Sequence, residues 1–292
     1  MVDEKRYWLG VSAFPEIGPM RFGLLRKYFG SVKKIWEATG DDLRKIGLAE
    51  KTVRSFDHFR KTCDLAAYEK RLHEEHVAAL ILDDPYYPKL LKEINDAPFV
   101  LYVKGKKMDK PIDMEKTIAV VGSRKATAYG IDMTKKLVRD LVRAGVTIVS
   151  GMAYGIDAVA HETAIASGGK TIAVLGCGVD IIAPLANAHI YRKIACEGFG
   201  AVISEMPLGM RPQKSLFVTR NRIISGVSRG VVVIEGERDS GTLITAKYAA
   251  CQGRDVFAVP GPVTSPTSGA SSILLKNGAR LVENARDILG EL

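Results

Sequence analysis

The sequence predicts an α/β protein, with a doubly wound, mostly parallel sheet preceded by a small all-helical segment. Three observations lead there. From residue 116 onward, short apolar β-rich runs alternate with helical stretches at a period of about 25–30 residues, the rhythm of repeated βαβ units. Those runs are continuously apolar instead of alternating, as strands covered on both faces require. Residues 1 to about 78 lack that rhythm and place apolar side chains at helical spacing.

The elements follow in order. In "MRFGLLRKYFGSVKKIWEA", Phe22, Leu25, Phe29, Val32 and Ile35 recur every three or four residues, predicting an amphipathic helix pair broken at Gly30-Ser31. "TGDDLRKIG" reads as a short helix capped by Thr39 or Asp41 and stopped at Gly47. "PEIGPMRFGLLRKYFG" resembles a degenerate helix-hairpin-helix whose turn could touch a DNA backbone, although a plain packing unit is the favoured reading. His73 and His76 of "HEEH" lie on a charged, solvated helix without a third ligand. In residues 82–105, Pro85, Pro88 and Pro98 forbid a long helix, and "FVLYVKG" reads as a strand. "KGKKMDKPIDMEK" follows as a charged connector. The remaining strands are "TIAVVGS", "VTIVSG", "TIAVLG", "AVISE", "GVVVIEG", "DVFAVPG" and a short "ARLV". Helices are expected between them, one over "TRNRIISGVS". The expected organisation is a helical domain over 1–80 and an α/β domain over 81–292.

Of 292 residues, 47% are hydrophobic, enough for a sizeable core. No apolar stretch reaches membrane-spanning length, and "MVDEKRYWLG" lacks a signal peptide's apolar region. Cys63, Cys177, Cys196 and Cys251 are scattered without paired spacing, which points to reduced thiols in the cytoplasm and to neither disulfides nor a metal site. The net charge of +9 favours acidic partners. It is uneven: residues 1–115 carry 21 Lys/Arg against 19 Asp/Glu, residues 116–292 carry 21 against 14, and Met206 to Ile234 contains no acid.

Open α/β sheets bind ligands at the carboxyl ends of their strands. Four such ends lead through small residues into helices: "VVGSRKATAYG", "VSGMAYGID", "VISEMPLGMRPQKSLFVTRNR" and "IEGERDSGTLITA". Together they predict an anion cleft built from backbone N–H groups and helix N-termini. Familiar enzyme motifs fail by context. "GGKT" (168–171) leads into a strand, so it is not a phosphate loop. "GVSRG" (226–230) follows a helix, so Ser228 is not on a nucleophile elbow. "GCGVDI" (176–181) lacks the third dinucleotide glycine. Asp157 and His161, four apart on one helix, are expected to touch, either tying a loop to the helix or acting as an acid/base pair; the first is favoured because no nucleophile accompanies them.

"RPQKSLFVTRNRIISGVSRG" (211–230) carries five basic residues and no acid. Arg220 and Arg222 are expected at the positive end of the helix "RNRIISG", an arrangement that favours a bound phosphate. Phe217, in the loop before it, either plugs the core or presents a ring for base stacking.

At these residues the chain resembles the DNA-processing protein A family (DprA, also called Smf). The resemblance rests on "YYPKLLKEINDAP", "IAVVGSRKATAYG", "VSGMAYGIDAVAH", "TIAVLGCGVD", "FVTRNRIISG", "SGTLITAKYAACQGR" and "VFAVPG", covering roughly residues 82–285. It implies an extended Rossmann-like domain preceded by a SAM-like helical domain. It implies binding of single-stranded DNA without catalysis or cofactor, protection of incoming strands in natural transformation, loading of the RecA recombinase, and a homodimer. By motif, Arg124 would hold a phosphate, Lys214 and Phe217 would contact phosphate and base, and Arg220 and Asn221 would support that pocket. Ser123, Ser150, Gly241 and Thr242 would offer polar or backbone contacts nearby. The sequence departs from the family pattern at Val218 (usually Pro), Ala183 (usually Tyr) and Ser272 (commonly Asn). The winged helix that some members carry at the C-terminus is not expected. The alternative is a nucleotide-processing, phosphoribohydrolase-like enzyme of similar fold, for which Glu205 and Glu235 are the candidate acids. A purely structural scaffold would show no salt-dependent affinity for oligonucleotides.

Overall fold

The amphipathic segments at the start of the chain fold as six helices: α1 (Val2–Ala13), α2 (Pro19–Phe29), α3 (Val32–Glu37), α4 (Gly40–Lys45), α5 (Glu50–Thr62) and α6 (Leu65–Glu74). The structure is a computed structural model that describes residues 2–106 and 116–292. Gly30 breaks α2 from α3 in the left-handed region at φ 79°, and the Ser31 hydroxyl accepts from Lys34 N to cap α3. Thr39, not Asp41, caps α4 by accepting from Asp42 N. Phe22, Leu25, Val32 and Ile35 are buried as their spacing predicts, together with Trp8 and Phe56. Phe29 is only partly buried.

The next segment departs from expectation. Residues Val77–Ile81 form strand β1, which pairs antiparallel with β2 (Val100–Lys104), Val77 opposite Lys104. "VAALI" is too short to reveal a period, and only pairing decides its state. The first strand therefore straddles residue 80. The helical layer also shares its core with the sheet: Phe22 stacks on Phe99, centroids 3.9 Å apart, and the Ser12 and Tyr102 hydroxyls hydrogen-bond at 2.6 Å. The three prolines limit the intervening stretch to a single helical turn, α7 (Lys89–Lys92). Residues 107–115 of the charged connector lie outside the described residues.

The expected alternation follows: β3 (Thr117–Val121), α8 (Ala128–Arg143), β4 (Thr147–Ser150), α9 (Ile156–Ala166), β5 (Thr171–Val174), α10 (Ala188–Cys196), β6 (Gly200–Ser204), α11 (Lys214–Gly226), β7 (Gly230–Val233), α12 (Gly241–Cys251), β8 (Asp255–Ala258), α13 (Gly269–Lys276), β9 (Arg280–Leu281) and α14 (Arg286–Leu289). Among the described residues all strands join one nine-stranded sheet in the order β1-β2-β6-β5-β4-β3-β7-β8-β9. From β6 to β9 every pair is parallel; β1 and β2 add an antiparallel edge. The chain winds outward from β3 to β6, and α11 then carries it back to β7 on the other side of β3. This reversal places the loops after β3 and β7 at a topological switch point.

Both sheet faces are covered, which is why the strands read as unbroken apolar runs. Ile156, Ala160 and Ala164 of α9 join Leu137 and Leu141 of α8 over Ile118, Val120 and Ile148. Ile223 and Ile224 of α11 and Ala246 and Ala249 of α12 cover the other face over Ala119, Val121, Val149 and Val231. Among the described residues no helix is long and apolar enough to cross a membrane.

Candidate nucleic-acid interface

The loop between β3 and α8 carries Arg124. The Ser123 hydroxyl accepts from Lys125 N at 3.1 Å and donates to Lys125 O at 3.0 Å, closing a tight turn that leaves Arg124 exposed. The following loop presses on this turn. Ile156 N donates to Ser123 O at 3.1 Å. Gly155, at φ 74°, has no room for a side chain, since a Cβ there would stand 2.7 Å from the Arg124 carbonyl carbon.

Helix α11 begins earlier than expected. It starts at Lys214, so Lys214 and Phe217 lie on its first turn, three apart and on one side, not in a loop. The tetrapeptide "KSLF" has no breaker, and Gln213 at the N-cap position accepts no N–H with its side chain. Lys214 is exposed and Phe217 is half-buried. The Arg124 guanidinium carbon lies 5.9 Å from the Phe217 ring centroid.

The earlier start also moves the two arginines. Arg220 and Arg222 were expected at the positive helix end; they lie deeper in α11 and are 5% and 2% exposed. Arg220 donates to Gly151 O at 2.6 Å and to Val174 O, with Nε on Asn221 Oδ1 at 3.2 Å. It thus clamps the ends of β4 and β5 beneath the crevice. Burial pushes its pKa down to about 10; Asp157 opposes the shift and Arg124 adds to it. Arg222 points to the far side, where it pairs with Asp96 (3.2 Å) and Glu205.

The remaining predicted residues divide. Gly241 is exposed at the start of α12, and Ser123 is partly exposed at the turn. Ser150 is fully buried with its hydroxyl donating to Val120 O at 2.7 Å, and the buried Thr242 hydroxyl bonds that of Ser240. These two brace the rim instead of facing the crevice.

The glycine rim itself differs from the expected anion cradle. Glu235, 3% exposed, accepts from Thr127 N at 2.8 Å and from the Thr127 hydroxyl at 2.6 Å, while that hydroxyl accepts from Gly130 N to cap α8. Asp157 accepts from Gly151 N at 3.1 Å and Ala153 N at 3.3 Å. The protein's own carboxylates therefore hold the backbone N–H groups of two of the four loops. Of the four loops, those preceding α9, α11 and α12 lead into helices without a side-chain cap. Sequence reasoning missed Glu235 as a cap, although its place directly after an apolar strand at the switch point was a usable signal. It also missed Asn187, which donates to Met152 O at 2.9 Å and Ala153 O at 3.2 Å; no local pattern marks it.

Asp157 and His161 do not form an acid/base pair. Nor do they form the hydrogen-bonded pair of the favoured reading: Asp157 alone ties its loop to α9, through Gly151 N and Ala153 N. His161 instead meets the Thr171 hydroxyl at 2.6 Å through Nδ1. Thr171 donates its own proton to Ile148 O at 2.8 Å, so Nδ1 carries the histidine proton. Burial, with the Arg220 charge, pushes the His161 pKa down to about 3.

The family model for the DNA recombination-mediator protein A matches residues 78–292. The chain belongs to this family. Protein Smf of Synechocystis sp. is 36% identical over 292 residues, covering 99% of this chain and 73% of that protein. DNA processing protein DprA of Streptococcus pneumoniae is 43% identical over 213 residues, 72% of each chain. Among solved structures, DNA processing protein A from Streptococcus pneumoniae superposes with a TM-score of 0.82 at 34% identity, over 100% of this chain and 98% of that one. DNA processing protein A from Helicobacter pylori, whose structure describes a single-stranded DNA binding mode, matches with a TM-score of 0.63 at 28% identity, over 73% of this chain and 94% of that one. The family model covers the α/β body from β1 onward, and the match to the Streptococcus pneumoniae structure extends over the helical layer as well.

Proposed function

We propose that this protein binds single-stranded DNA in the crevice between the β3–α8 turn and the first turn of α11, and that it does so without catalysis. The observation that carries the proposal is the grouping of Arg124, Lys214 and Phe217. Two exposed cations flank one half-buried ring that is already engaged on one side by a guanidinium. Cations hold phosphates in a salt-dependent manner, and a ring stacks any unpaired base. The α11 N-terminus adds partial positive charge at the same place. Ser123 and Gly241 lie on the exposed rim, and Arg220, Asn221, Ser150 and Thr242 position the loops from below.

The further roles we propose are those that the family resemblance implies. The protein covers incoming strands in transformation, acts as a homodimer, and hands the strand to RecA. A titration of oligothymidylate at several salt concentrations tests the binding core. Arg124→Ala and Lys214→Ala are each expected to weaken binding and flatten the salt dependence; a parent-like titration for both overturns the proposal. The nucleotide-processing alternative has little support in the geometry, because Glu205 is paired with Arg222 and Glu235 is held by Thr127 N and its hydroxyl. Release of free base from nucleoside monophosphates by the purified protein would restore it.

A further inference from the structure

Helices α8 and α9 lie side by side on one face of the sheet, and both begin at the Arg124 turn. Helix α8 follows it in sequence, and the first N–H of α9 bonds Ser123 O. Toward the C-terminal ends of the two helices, on the side away from that turn, a groove of about 570 Å³ is lined by Lys135, Arg139, Arg143, Glu162, Thr163 and Ser167. Lys135, Arg139 and Arg143 stand at i, i+4 and i+8, a row of exposed cations on one flank of α8. Traced toward the N-terminus, the same row passes Ile131 and reaches Thr127, at the end of the Arg124 loop.

The charges in this groove are poorly neutralised. Among the described residues Lys135 and Arg139 make no salt bridge, and Arg143 pairs only with Asp140 on its own helix, at 3.2 Å with the arginine 72% exposed. Glu162, the only acid lining the groove among the described residues, is turned to His189 at 2.8 Å. Helix rise separates successive cations by about 6 Å, close to the separation of neighbouring phosphates along one strand. No aromatic residue lines the groove, so nothing there stacks a base.

We infer that the α8–α9 groove carries the sugar-phosphate backbone of a single strand beyond the crevice, gripping phosphates alone. The inference rests on the crevice being the primary single-strand site. The crevice orders one or two nucleotides through ring and phosphate, and the groove lengthens the contact by a few phosphates without regard to base. Its signature is a dependence on oligonucleotide length.

The test compares oligothymidylates of about 6 and about 20 nucleotides, lengths that bracket ordinary single-strand site sizes. The proteins are the parent, Arg124→Ala, the triple variant Lys135→Ala/Arg139→Ala/Arg143→Ala, and Lys135→Arg. The triple variant is expected to bind the short oligomer as the parent does and the long one about tenfold more weakly, with the log–log salt slope reduced by about two for the three lost contacts. Lys135→Arg should bind both like the parent. Arg124→Ala should weaken both lengths. A triple variant with parental affinity and slope on the long oligomer overturns the groove, as does an equal loss on both lengths. Arg124→Ala with parental affinity overturns the crevice instead, so the two failures are distinct. All three groove side chains are exposed, and an unchanged melting temperature confirms that the variants are folded.

Discussion

The Arg124 guanidinium carbon stands 5.9 Å from the centre of the Phe217 ring, across a gap between a loop and a helical turn that are 93 residues apart in the chain. The arginine is held up by a turn that Gly155 supports from behind, and the ring by the first turn of α11. Neither is sealed in the core. One face of a half-buried ring and one exposed cation thus converge on the same space.

That convergence makes their contributions coupled. Phe217→Ala is expected to cost about 1–3 kcal/mol of single-strand affinity, the usual worth of a base stack. In a double-mutant cycle with Arg124→Ala, the two losses should sum to more than the double variant shows, because each residue positions the other. Strict additivity in fluorescence-anisotropy titrations would contradict a shared pocket.

Gly155→Ala should damage the site without touching DNA. The new methyl meets the Arg124 main chain, and φ 74° strains any residue with a Cβ. Loss of about 1–3 kcal/mol in urea unfolding is expected, with weaker oligonucleotide binding beyond what unfolding explains. Parental binding in this variant would show that the turn need not be held in place.

Glu235→Ala removes the carboxylate that pairs Thr127 N and its hydroxyl at the start of α8. Loss of the acceptor that holds the Thr127 cap, with partly buried donors left behind, predicts about 1–3 kcal/mol of destabilisation. Differential scanning calorimetry should record the lower melting temperature; an unchanged one would deny the capping role.

His161 gives a pH dependence with a definite sign. Its pKa in the folded protein is about 3, against about 6.5 for an unperturbed histidine. Between those values the unfolded chain binds a proton that the native protein refuses. Stability from this group is therefore complete above pH 6.5 and lost as pH falls, by up to about 1.4 kcal/mol per pH unit. Burial raises the pKa of Asp157 and Glu205, which acts in the opposite sense, so the measurement is a difference: His161→Gln should unfold with a shallower acid slope than the parent. Parallel slopes between pH 4 and 7 would remove His161 as the cause.

Much of this molecule was legible before any coordinates. Continuous apolar runs such as "TIAVV" and "GVVV" could only be strands buried on both sides, and the helical spacing of Phe22, Leu25, Val32 and Ile35 predicted the buried side of the first layer. The basic loop, Arg124 and Phe217 were also visible as residue types in telling places. What stayed hidden was whatever depends on a partner distant in sequence. β1 is a strand because β2 lies beside it. Arg220 and Arg222 turned from candidate phosphate ligands into buried clamps because α11 starts at Lys214 and rotates them inward. Glu235 and Asp157 filled backbone sites that looked open for a ligand. Local pattern reports what a segment needs to bury and how it repeats, and this set the architecture. Which donors remain unpaired at the rim is settled only when distant carboxylates and carbonyls arrive, because a buried N–H takes whatever acceptor the completed fold brings within reach.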